Sequence, residues 1–279
     1  AVGYVVVSDS ARRIAGVPLT SPIERLAEAL AVRDPRLWVE ELPEPGPVVV
    51  TVRNARDRVA ALAPFFTQGS RVEPILFGDS LYWAIDLYST SATYPLSQRF
   101  VIDGGTWSYF QHAATALVLS QTGQVRILAD SALDPIAATW VDEFPHLFSP
   151  PSSLPRAVLS ALPPAVDAAR AQALAFGRFG TRANAGRPIH LPVLDGADSA
   201  LAARWPVFAL PDDGPTAIEI PMLDQGNRVR GVLVSEGGPA HHTAWLPAAG
   251  ASGPLWQGVL DRLAAADSAT RAANTTTVH

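Results

Sequence analysis

The chain of 279 residues contains no cysteine. Disulfides, zinc–thiolate sites, iron–sulfur clusters and cysteine nucleophiles are excluded together. The same absence fits an extracytoplasmic bacterial protein. Lysine is missing too, so all 21 basic residues other than histidine are arginine. With alanine and proline so abundant, this reads as the signature of a GC-rich genome and not as a functional feature. Charged residues make up only 17% and the net charge is −5. That leaves no electrostatic footprint for nucleic acid and no polybasic patch. No apolar run approaches the roughly 20 residues that a bilayer-spanning helix needs. The apolar residues 1–7 include three successive valines and read as a first strand. The pairs Gly104-Gly105 and Gly237-Gly238 build neither a dinucleotide fingerprint nor a P-loop, so no nucleotide cofactor is expected.

What is present is a globular composition, 48% hydrophobic, long enough for one large domain or two modest ones. Ser21-Pro22-Ile23-Glu24 combines an N-cap, a proline at the first helical position and an acid at the third. Ile23, Leu26, Ala27 and Leu30 follow at helical spacing, and the helix should end near Arg33-Asp34-Pro35. Residues 48–52 form a short buried strand. Asn54 caps a helix carrying Val59, Ala60, Leu62 and Ala63, which Pro64 stops. Strands at 72–77 and 81–87 flank Gly78-Asp79-Ser80, a hairpin signal. Residues 89–106 read as a long loop, and long ordered loops are often functional. A second hairpin spans 107–129. Asp134-Pro135 starts a helix to about Glu143. Alanine-rich helices follow at 153–162 and 164–176, then a break at 177–186. Four strands at 207–246 and an amphipathic helix at 255–266 complete the pattern, before a polar tail. Because strands arrive in hairpin pairs, the fold class is α+β, with antiparallel sheet packed against alanine-rich helices. The expected organisation is a first domain at 1–176, a β-rich region with a closing helix at 187–267, and a disordered tail at 268–279.

Residues 84–155 are the densest in aromatics, prolines and special-purpose polar groups. They include Tyr82-Trp83-Ala84-Ile85-Asp86-Leu87-Tyr88-Ser89-Thr90, then Tyr94-Pro95 and Ser97-Gln98. Asp134-Pro135-Ile136, Phe144-Pro145-His146-Leu147-Phe148 and Leu154-Pro155 follow. Upstream stand Arg33-Asp34-Pro35, Arg56-Asp57-Arg58-Val59 and Ala63-Pro64-Phe65. In this order these motifs resemble uncharacterised protein family 0182, from about Arg33 to about Phe179. The resemblance implies a piece of a large bacterial protein that carries several N-terminal membrane helices and a big extracytoplasmic domain. Nothing here matches those helices, and the section after Gly180 is shorter and only faintly similar. Such families carry over location and fold but no catalytic residue.

Each candidate for chemistry has a plainer explanation. Gly78-Asp79-Ser80-Leu81 matches the opening block of GDSL-type esterases, but no Asp-x-x-His supplies the base, and a hairpin turn accounts for it. His241-His242 lacks metal-ligand spacing, since neighbours on a strand point to opposite faces. No metal site is expected. Asp86 lies in an aromatic strand and, if buried, needs partners. Ser89, Thr90, Tyr94 or an arginine could supply them. Asp142-Glu143 ends a helix and Asp212-Asp213-Gly214 is a turn. The chain starts without methionine, as a processed or excised piece would.

The leading expectation is a non-catalytic, membrane-extrinsic interaction subunit on the extracytoplasmic side of a bacterial membrane. It would dock onto an integral-membrane protein complex and hold its partners together. Candidate contact or structural residues are Asp86, Tyr88, Tyr94, Pro95, Trp107, Asp134, Phe144 and Phe148. The alternative is a hydrolase or ligand-binding protein with a cleft around Asp86, Tyr94 and Asp134.

Overall fold

The structure, a computed structural model, describes residues 4–8, 14–42, 46–102, 104–179, 189–191, 207–209, 216–238, 241–248, 253–262 and 264–266. The order is β1 (Val5–Ser8), β2 (Val17–Pro18), α1 (Pro22–Val32), α2 (Arg36–Val39), β3 (Pro47–Val50), α3 (Ala55–Leu62), β4 (Thr67–Gln68), β5 (Glu73–Phe77) and β6 (Ser80–Ser91). It continues with β7 (Phe100–Ile102), β8 (Gly105–Trp107), β9 (Tyr109–Leu119), β10 (Val125–Ala129), α4 (Pro135–Glu143), α5 (Arg156–Ser160) and α6 (Val166–Phe179). Last come β11 (Val207–Ala209), β12 (Thr216–Leu223), β13 (Val229–Glu236) and β14 (Thr243–Pro247). This is an α+β protein whose described strand pairs run antiparallel.

The chain divides into two compact units, Ala1–Thr90 with Gln111–Leu159, and Ser91–Phe110 with Ser160–His279. In the first unit, β5 and β6 form a hairpin with Phe77 opposite Ser80. Gly78 stands at φ 56, the left-handed backbone that a two-residue turn demands and that glycine adopts without strain. Ser80 is therefore the first residue of β6, beside the turn. β6 is long enough to pair with both β5 and β4 along its length, with Glu73 opposite Ala84 and Thr67 opposite Tyr88. The sheet order is β10-β9-β6-β4. Ile85, Leu87, Ala113, Ala114, Ala116 and Ile127 from this sheet are essentially fully buried, and Val59 and Ala63 of α3 pack on them with Ala137 of α4. Small residues on β9 let the helices approach closely. Phe65 stacks on Trp140 at 4.5 Å and on Phe144 at 5.8 Å, while Phe66 meets Phe148 edge-on at 6.4 Å.

A separate three-stranded sheet, β1-β3-β2, packs Val49 against Ala29, Val32 and Leu37. In the second unit, β11-β12-β13-β14 form a meander, with Ile218, Ile220, Met222 and Leu233 packed on Val166, Ala169 and Ala173 of α6. α6 continues through Gly177 to Phe179, past the expected break at that residue. Residues 89–106 are not one long loop: β6 runs on to Ser91, and β7 and β8 form a small hairpin of their own. The expected features at 180–186, 212–214 and 268–279 lie outside the described residues.

Candidate functional site

Asp86 sits in the middle of β6 with 9% of its surface exposed. Its partner is not one of the hydroxyls or the arginine expected from the sequence but His112, on the neighbouring strand β9. Nε2 of His112 lies 3.3 Å from Asp86 Oδ1, and Nδ1 lies 2.8 Å from Oδ2 of Asp130, just after β10. The Asp130 backbone N–H donates to the Ala113 carbonyl, which fixes the carboxylate beside the ring. Tyr88, fully buried two residues along β6, places its hydroxyl 3.4 Å from Asp86 Oδ2 and its ring edge-on to the imidazole at 5.4 Å. Strand periodicity explains the arrangement, because residues 86 and 88 share a face.

Burial alone would push the His112 pKa down. The hydrogen bonds to Asp130 and Asp86, with the charges of the two carboxylates, outweigh it and raise the pKa to about 9. At neutral pH the ring is an imidazolium donating through both nitrogens. A general base needs a free lone pair within reach of substrate. Both nitrogens of this ring face carboxylates, so the cluster ties β6, β9 and the residue after β10 to one another. His112 was not singled out in the sequence, where a lone histidine in an alanine-rich strand gives no signal.

The remaining predicted residues scatter. Tyr94 is half exposed and stacks on Tyr109 at 5.1 Å, and its backbone N–H donates to Ser108 Oγ at 2.7 Å. Pro95 is exposed beside it. Leu96, next in line, is fully exposed at φ 58, a conformation unusual for a non-glycine residue. Trp107 is half-buried and donates from Nε1 to the Ile102 carbonyl. Asp134 caps α4, its Oδ1 accepting from the Ile136 and Ala137 N–H groups. Phe144 and Phe148 belong to the internal aromatic packing. His241 precedes β14, with φ 42, so the pair is not on a strand.

Large apolar side chains are exposed at several places, and α1 carries three of them at helical spacing. Its N-terminus is a full capping box, Ser21 Oγ accepting from the Glu24 N–H and Glu24 Oε2 accepting from the N–H groups of Thr20 and Ser21. The Thr20 hydroxyl donates to the same carboxylate, and these bonds hold the Glu24 pKa below its usual value. The core face is the narrow pair Ala29 and Val32. The large apolar residues at helical spacing point the other way: Ile23 is 80% exposed, Leu30 70% and Leu26 45%. α2 adds Trp38 and Val39, also exposed. The two helices are held in register by Arg25, whose Nε donates to the Leu37 carbonyl at 3.0 Å and whose Nη2 donates to that of Glu40 at 2.7 Å. Tyr4 adds a hydrogen bond to Asp34 at 2.8 Å.

The fold is α+β, with a buried His112 carboxylate cluster and an apolar face on α1 braced by a capping box. The model of the Uncharacterised protein family UPF0182 matches residues 12–179, and the chain belongs to that family. A UPF0182 protein of Synechococcus sp. is 30% identical over 154 residues, covering 50% of this chain and 16% of the relative. One from Synechocystis sp. is 32% identical over 164 residues, covering 54% of this chain and 16% of the relative. One from Moorella thermoacetica is 28% identical over 161 residues, covering 57% and 17%. The chain therefore spans only a small part of the length of these relatives. No solved structure matches it. Among the described residues no helix is long and apolar enough to cross a membrane.

Proposed function

We propose that this chain is a non-catalytic interaction module, acting at the extracytoplasmic face of a bacterial membrane and docking onto an integral-membrane protein complex. One observation carries the reading: the apolar stripe of α1, which should be a core face by its spacing, is turned outward and braced in place. A patch of large apolar side chains held rigidly at a surface marks a contact site. Rigid presentation favours binding, because little side-chain or helix ordering remains to be lost on association. The exposed Leu96 in a left-handed backbone offers a second apolar tip. The membrane setting rests on the resemblance to large membrane proteins. The hydrolase alternative finds less support, because Asp86 is committed to His112 and Tyr88 inside the sheet.

The test is gentle detergent solubilisation of native membranes followed by size separation. The wild-type chain should travel with one large membrane complex at fixed stoichiometry, and an Ile23→Glu/Leu30→Glu variant should run apart from it. A wild-type chain that runs alone and monomeric would sink the reading.

A further inference from the structure

A cavity of about 350 Å³ opens within the first unit, away from both the α1 face and the histidine cluster. Its walls are apolar, with Val7, Ile14, Val50, Trp83 and Val118. Among the described residues its polar groups are cationic or neutral: Arg53, Arg58, Ser120, Gln121 and Thr122 line it, and no carboxylate does. Arg58 is fixed from below. Its Nη1 donates to the carbonyls of Ala15 at 3.1 Å and Gly123 at 3.0 Å. Gly123, at φ 70, lets the guanidinium lie against the main chain, since a Cβ there would come within 2.5 Å of Arg58 Cζ. Burial pushes the Arg58 pKa down from its ordinary value, yet a guanidinium stays charged. Arg53 is exposed, and among the described residues neither arginine has a carboxylate partner. A second hollow of about 270 Å³, with Val52, Leu62 and Val125 in its walls, shares Arg58 and Gly123 with the first. Gln121 donates from Nε2 to the Asp79 carbonyl at 2.6 Å, while its Oε1 is buried without a hydrogen-bond partner.

We propose that this cavity binds a small amphipathic hydroxycarboxylate, with its acid group at Arg53 and Arg58 and its hydrocarbon body against Trp83 and the valines. Two guanidiniums without a carboxylate partner among the described residues call for an anion, and a planar fork suits a carboxylate. Apolar walls call for a hydrocarbon body and disfavour a bare, strongly hydrated ion. The orphan acceptor on Gln121 is satisfied by a ligand hydroxyl, which removes the cost of an unpaired buried oxygen. The inference is independent of the docking role of α1.

Calorimetric titration of the full chain with 3-hydroxyoctanoate, its methyl ester and inorganic phosphate tests it. The acid should bind saturably at one site, and the ester and phosphate should not. Arg53→Gln, at an exposed position with no side-chain bond to the other described residues, should weaken the acid by roughly tenfold or more, the scale of a lost charge-assisted hydrogen bond. Arg58→Gln should weaken it as well in protein that keeps its wild-type melting temperature. No binding of the acid, equal binding of the ester, equal binding of phosphate, or unchanged affinity in Arg53→Gln would each overturn the proposal.

Discussion

His112 donates from Nδ1 to Asp130 Oδ2 at 2.8 Å, across the edge between β9 and the end of β10. With the Asp86 contact on its other nitrogen, that bond makes the ring a buried cation between two carboxylates. Its pKa of about 9 exceeds the ordinary histidine value of 6.5. A group with a raised folded-state pKa adds stability that is fully present below its unfolded pKa and is lost as pH rises through the folded one. Stability should therefore fall between about pH 6.5 and pH 9, by on the order of 3 kcal/mol from this residue. Thermal melts across that range should show the decline, and His112→Gln should flatten it. A wild-type profile as flat as that of the variant would refute the assignment.

Removing one carboxylate should expose the asymmetry of the cluster. Asp130→Asn removes the charge at the shorter contact and should cost about 3–5 kcal/mol, the range for breaking a buried pair. Asp86→Asn removes the charge at the longer one and should cost less, since the amide can still meet Tyr88. Urea unfolding of both variants gives the order directly. Equal losses would mean that the two carboxylates hold the ring equally.

On α1, the direction of the apolar stripe is a stability prediction. Ile23→Asp and Leu30→Asp should each leave unfolding free energy within about 0.5 kcal/mol of wild type, as surface changes do. Ala29→Asp places an unpaired charge against Val49 and should prevent folding. Severe destabilisation by Ile23→Asp would show that the stripe is packed after all.

Leu96 holds a left-handed backbone while wholly exposed. That conformation costs a side-chain-bearing residue roughly 1–2 kcal/mol, and glycine much less. Leu96→Gly should thus be neutral to mildly stabilising despite the entropy glycine adds to the unfolded chain. If the loop is a docking tip, the same change should weaken co-migration with the membrane complex. A clear loss of stability would contradict the strained backbone.

Much of the local structure was legible because it is written in short-range chemistry. The Ser21 capping box, the Asn54 and Asp134 caps and the Gly78 turn each depend on residues within four positions of one another. The α+β class followed from strands arriving in pairs. Residues 89–106 misled because turn-forming residues and short strands look alike when the strands have only three residues each. Among the candidate site residues, Asp86 needs partners by its place in an aromatic strand, but His112 lies 26 positions from it and Asp130 18 positions beyond His112, separations that no periodicity encodes.

The sequence by itself determined where α1, α3 and α4 begin and where the β5–β6 hairpin turns, because caps, prolines and turn residues act on their own neighbours. It also determined that α1 has an apolar stripe. Only the tertiary structure decided which side of that helix meets the core. Ala29 and Val32 fit closely over Val49, while the bulkier Ile23 and Leu30 are left facing out, and that choice depends on the shape of a sheet assembled from distant segments. The charge on His112 was decided in the same way, since only the folded sheet brings Asp86 and Asp130 to its two nitrogens.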